Sequence, residues 1–185
     1  MNTKTLSIAA VLVTLIAFSG MAAAQLGSGA QGVNLTATLS ESLTLSLSAT
    51  TVNFPLTAGN ASNPGSTTIT ASTKWVLMPG RTAVRVYAYF ASATAGLSDG
   101  VDNIPSSAFS ISNNGAAAAP LANTVPFGAA LAGLQLENIA ITGANKNSSV
   151  TDNMAFNIDL SSGSLPQLPA GSYTGTLYIQ AQATP

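Results

Sequence analysis

Val33-Asn34-Leu35-Thr36-Ala37-Thr38-Leu39-Ser40-Glu41-Ser42-Leu43-Thr44-Leu45-Ser46-Leu47 decides the fold class. Every odd position is apolar except Glu41, and the even positions are polar. Side chains of an extended chain alternate between two faces, so a period of two marks a strand with one buried face. The stretch reads as one long strand, or as two strands split near Glu41-Ser42. Its apolar residues Val33, Leu35, Leu39, Leu43, Leu45 and Leu47 form a candidate assembly strand.

Similar segments recur outward from it. Thr51–Leu56 reads as a strand whose Pro55 suits an edge or bulge. Thr67–Thr73 and Lys74–Met78 read as strands, with Asn63-Pro64-Gly65 a turn before them and Pro79-Gly80 a turn after. Thr82–Phe90 carries the strongest strand pattern. A long loop covers 91–103. Ala108–Ser112 is a short strand ended by Asn113-Asn114-Gly115. In 116–133 the alanines invite helix, but Pro120, Pro126 and the glycines forbid more than a turn or two. Gln135–Thr142 is a strand. There Leu134 and Leu136 have one parity and Ile139 and Ile141 the other, which suggests a bulge between the pairs. Val150–Leu160 places Met154, Phe156, Ile158 and Leu160 on one face. Ser172–Ala183 is the last strand, with Tyr173, Leu177 and Ile179 inward. Short strands at regular spacing, with no amphipathic helix, predict an all-β antiparallel immunoglobulin-like β-sandwich.

The chain begins with Lys4, an uncharged apolar run from Leu6 to Phe18, and Ala22-Ala23-Ala24. This is the pattern of a cleaved signal peptide over 1–24. Residues 25–32 read as a flexible Gly-rich tail, and 33–185 as one domain. The expected location is secreted, periplasmic or at the cell surface of a bacterium. No second apolar stretch reaches spanning length, so the mature chain is expected to have no transmembrane segment.

Charged residues make up 6% of the 185 residues, against about 25% in an average domain. Past the signal the basic residues are Lys74, Arg81, Arg85 and Lys146, too few for a phosphate-binding stripe, so nucleic acid is not an expected partner. A charge-poor surface favours self-association or contact with other envelope proteins. The chain has no Cys and no His. That excludes disulfides and removes the commonest general base and zinc ligand. No S-x-x-K or G-x-S-x-G occurs, and a Ser nucleophile needs a base beside it. The chain is expected not to be an enzyme, with no catalytic residues and no cofactor.

The segment Leu168-Pro-Ala-Gly-Ser-Tyr-Thr-Gly-Thr-Leu-Tyr-Ile179 resembles the final strand of bacterial fimbrial subunits of the spore coat U (Csu) type. In these a Pro-Ala-Gly-x-Tyr turn leads into an alternating last strand. Val33–Leu47 is similar to the donor strand such subunits lend to a neighbour. The resemblance implies a sandwich lacking one strand and an exported filament subunit.

Three further groups are candidates for chemistry. Asp99, Asp102 and Asn103 put oxygen ligands close together in one loop, as calcium prefers, or form a solvated turn. Trp75, Tyr87 and Tyr89 are candidate sugar-stacking aromatics, although a sandwich commonly buries a Trp and both Trp75 and Phe90 suit a core. Arg81 and Arg85 are expected to pair with an acid such as Asp159 or Glu137, or to face solvent. Two functions follow: an exported structural or assembly protein, or a secreted carbohydrate-binding or adhesin-like module.

Overall fold

The computed structural model describes residues 28–185. The expected signal peptide and Gln25–Gly27 lie outside the described residues. Residues 39–185 form one compact body, and 28–38 belong to a separate N-terminal unit with no helix or strand of their own.

The compact body is an antiparallel β-sandwich. Its strands are β1 (Ser42–Leu47), β2 (Asn63–Pro64), β3 (Ile69–Val76), β4 (Ala83–Tyr89), β5 (Leu97–Ser98), β6 (Asn103–Ile104), β7 (Phe109–Asn113), β8 (Ala119–Pro120), β9 (Gly133–Ala140), β10 (Asn147–Ile158) and β11 (Tyr178–Thr184). One sheet runs β1-β3-β10-β7-β8, with β2 beside β10. The other runs β11-β4-β9, and β5 and β6 form a small ribbon.

Alternation accounts for the inner faces. In β10 the even residues Asp152, Met154, Phe156 and Ile158 are buried, and in β4 so are Val84, Val86 and Ala88. The two sheets close over one main core containing Phe90, Ile111, Leu121 and Met154. A smaller cluster of Trp75, Leu77 and Val84 packs against Leu43, Ile139 and Val150. Burying apolar surface is worth about 25 cal/mol per Å², so these faces are the main stabilising term in a chain without cross-links.

The parity argument for β9 holds. Glu137 pairs with Val86 and Gln135 with Tyr87, so Leu136 is the extra residue of a β-bulge. Asn114 and Gly115, at φ 51 and 78, make the turn after β7. No α-helix occurs in 116–133.

Several boundaries differ from expectation. Thr67–Thr73 and Lys74–Met78 are one strand, because β1 and β10 pair continuously along both sides of β3. Thr51–Leu56 is extended but unpaired as a strand, with Val52, Phe54 and Leu56 half-buried against the core. Asn63-Pro64, expected as a turn, pairs with Asn157 and Ile158. Its turn-like composition is overridden by the buried Asn63 side chain. That amide donates to the carbonyls of Asn60 and Ile158, both at 2.9 Å, and accepts from the Thr57 N–H at 2.7 Å. The last strand starts at Tyr178 rather than Ser172; upstream of it, the one bridge within 172–177 joins Thr174 to Ser98.

Candidate functional site

The alternating stretch that defines the fold class has two fates. Leu43, Leu45 and Leu47 lie in β1, opposite Trp75, Thr73 and Ala71 of β3. Leu43 and Leu45 are half-buried. Val33, Leu35 and Leu39 lie outside any strand and are 81%, 90% and 80% exposed. Glu41 separates the two halves. It accepts from Arg81 at both oxygens, Nε to Oε1 at 2.8 Å and Nη2 to Oε2 at 3.0 Å. This fork holds the Glu41 carboxyl below its usual range. Arg81 pairs with an acid, as expected, but the acid is Glu41 rather than Asp159 or Glu137. Arg85 donates to Asn138 instead.

The body has an open groove of about 680 Å³ with apolar and polar residues in its lining. One wall is the extended segment 47–56, presenting Val52, Phe54 and Leu56; the other is 171–179, presenting Tyr173, Leu177 and Ile179. Phe90, Phe109 and Phe156 form its floor. The groove exists because both walls leave the ladders. Ser48 makes the last β1-side bond, to Thr70, and β11 pairs as a strand only with β4. The Pro169–Tyr173 turn behind the second wall is held by the Tyr173 hydroxyl, which donates to the Pro169 carbonyl at 2.9 Å. Burial, then the Asp99 and Asp102 charges, raise that phenol above its usual value.

The aromatic candidates separate. Trp75 is 3% exposed and donates Nε1–H to the Asn145 carbonyl. Tyr87 is equally buried, edge-on to Phe127. Tyr89 is half-buried and stacks on Tyr178, centroids 5.4 Å apart. Phe90 is in the main core.

Asp99, Asp102 and Asn103 lie at the β5–β6 turn. Asp99 Oδ1 accepts the N–H groups of Val101 and Asp102 at 2.9 and 2.7 Å, which lowers its pKa. These bonds fold the turn on itself. Among the described residues no three His, Cys, Asp or Glu side chains gather as a metal cluster, and no helix is long and apolar enough to cross a membrane.

One constellation was missed from sequence. Asp152 is fully buried, and Asn113 Nδ2 donates to its Oδ1 at 2.8 Å. Glu137 lies beside it across the sandwich. Burial and then the Asp152 charge raise the Glu137 pKa. The readable signals were the even parity of Asp152 with Met154, and the bulge that turns Glu137 inward with Val86.

No family model, curated protein or solved structure matches the chain.

Proposed function

We propose that this chain is an exported structural subunit that assembles by strand donation, residues 33–39 of one copy entering the groove of another. The observation that carries this reading is the groove between the segments 47–56 and 171–179, most of whose residues lie outside the strand ladders. Val33, Leu35, Ala37 and Leu39 share one face when extended, and three are large side chains with nothing covering them. At about 3.3 Å per residue the segment spans roughly 20 Å, comparable to the walls 47–56 and 171–179. A strand added to a free edge gains main-chain hydrogen bonds and fills a groove with alternate side chains. Such a contact joins different surfaces of the two copies, so repetition yields an open filament. The charge-poor composition and the export signal expected over 1–24 agree with an envelope or extracellular setting.

The test uses the chain from Gln25 onward. Size-exclusion chromatography and electron microscopy should show concentration-dependent oligomers or filaments. The triple variant Val33→Asp, Leu35→Asp, Leu39→Asp should remain folded and monomeric. A wild-type chain that stays monomeric at every concentration, with 33–39 open to protease, rejects the reading.

The stacked Tyr89–Tyr178 pair, with Tyr178 45% exposed, supports the carbohydrate-binding alternative better than Trp75 or Tyr87. Glycan-dependent quenching of tyrosine emission, lost in Tyr178→Ala, is its expected sign.

A further inference from the structure

The bulge in β9 and the inner face of β10 bring Glu137 and Asp152 together between the sheets. Asp152 has no exposed surface, and its Oδ2 has no hydrogen-bond partner. Asn113 Oδ1 is likewise buried and unpartnered. Thr73, fully buried and two register positions away on the same inner face, has an unpartnered Oγ1. The one ion pair among the described residues is Glu41–Arg81, so no Lys or Arg offsets the two carboxylates. An uncompensated buried carboxylate is costly, and an unsatisfied buried acceptor adds to that cost.

The oxygens also converge. Asn113 Nδ2 lies 2.8 Å from Asp152 Oδ1, 3.2 Å from the Leu136 carbonyl and 3.5 Å from Glu137 Oε1. Leu136 is the bulged residue, whose backbone is free of the regular ladder. A half-turn of the Asn113 amide puts its oxygen where Nδ2 stands. That oxygen then stands 2.8–3.5 Å from one oxygen each of Asp152, Leu136 and Glu137, close to the roughly 3–3.5 Å between neighbouring oxygen ligands of a calcium ion with bonds of about 2.4 Å.

We propose that Asp152, Glu137, Asn113 and the Leu136 carbonyl form an all-oxygen site for a divalent cation of the calcium type, tying the two sheets together. The site is independent of the groove and of the assembly reading. Two carboxylates neutralise a divalent ion, and half-buried Glu137 with exposed Asn114 leaves a route for the ion and its remaining water ligands. The Asp99 loop differs: its Oδ1 is committed to backbone N–H groups.

Calcium chloride titrated into chelator-treated chain from Gln25 onward at neutral pH tests this by calorimetry and thermal melting. Saturable one-site binding in the range of about 10⁻⁴–10⁻³ M, typical of extracellular modules, is expected. Calcium should raise the melting temperature, and potassium at equal ionic strength should not. Asp152→Asn and Glu137→Gln should each weaken binding tenfold or more, whereas Asp99→Asn should leave it unchanged. If Asp152→Asn does not fold, the half-exposed Glu137→Gln decides. Three results overturn the proposal: no saturable binding, binding lost in Asp99→Asn but kept in Glu137→Gln, or a Glu137→Gln chain that melts higher with no calcium response in either protein. The last would mean that the acid pair simply shares a proton.

Discussion

Residues 33–39 and 43–47 carry the same alternation, yet only the second half is a strand of the sandwich. Leu43 packs against Trp75, Leu77 and Val84, while Val33 and Leu35 are more than four-fifths exposed. Alternation reports that a segment has an apolar face. It does not report which edge covers that face. The edge is set by long-range pairing: β3 is available to Leu43–Leu47, and no strand of the body pairs with 33–39. Glu41 marks the change, because its fork to Arg81 fixes the chain where the pattern breaks.

The largest expected effect distinguishes the two halves directly. Leu43→Asp places a carboxylate against Trp75 with no cation to receive it. Loss of a buried Leu costs ~2–5 kcal/mol; for a half-buried site with an added charge we expect about 2–4 kcal/mol. Urea denaturation should show a lower midpoint at an unchanged slope. A loss below about 0.5 kcal/mol would mean β1 is not bound in the sheet.

A smaller effect is expected at the groove wall. Phe54 is half-buried and meets Phe109 edge-on, centroids 5.8 Å apart. Phe54→Ala should cost roughly 2 kcal/mol, less than the ~3–5 kcal/mol of a fully enclosed Phe. It should also weaken self-association more than it weakens the monomer. Equal losses in both would place Phe54 in the core and outside any docking surface.

Much of this comparison was legible from sequence. The strands β4, β7 and β10 and the bulge in β9 follow from parity and turn residues, and the burial of Trp75 and Phe90 follows from the need of a sandwich for a large aromatic core. Other features depend on partners remote in sequence. Asn63-Pro64 has turn chemistry, and only the Ile158 carbonyl 95 residues away makes it a strand. Thr51–Leu56 alternates like a strand but joins no ladder, bonding only to Ser66 through Asn53. The Glu137–Asp152 pair needs the bulge and the sheet packing together, so neither residue's local pattern announces it.

The junction between the halves has a pH signature. The Arg81 hydrogen bond lowers the Glu41 pKa from its usual 4.5. A depressed carboxylate contributes stability above its unfolded value and loses it as pH falls through the folded one. The Glu41 contribution should therefore be complete at neutral pH and fade below about 4.5, and salt should screen it in part because the pair is partly exposed. Glu41→Gln should flatten this part of the acid limb of the stability curve. An unchanged acid limb would detach the fork from the stability of β1.

The smallest expected change in stability is at Leu35. Its side chain is 90% exposed, so Leu35→Asp removes no buried contact. Substitutions at such sites stay within about 0.5 kcal/mol. The monomer should melt as wild type does, in contrast to Leu43→Asp, although both exchanges are Leu to Asp at odd positions of one stretch. Assembly should respond in the opposite order of expectation from exposure alone: an aspartate entering the groove would be desolvated without a partner. Sedimentation at matched concentrations should then show Leu35→Asp shifted to monomer while its urea midpoint stays in place. A shifted midpoint would mean that 33–39 covers its own body in solution. An unchanged midpoint with unchanged assembly would leave Leu35 on a solvated tail, and the likeness between the two halves would be one of pattern alone.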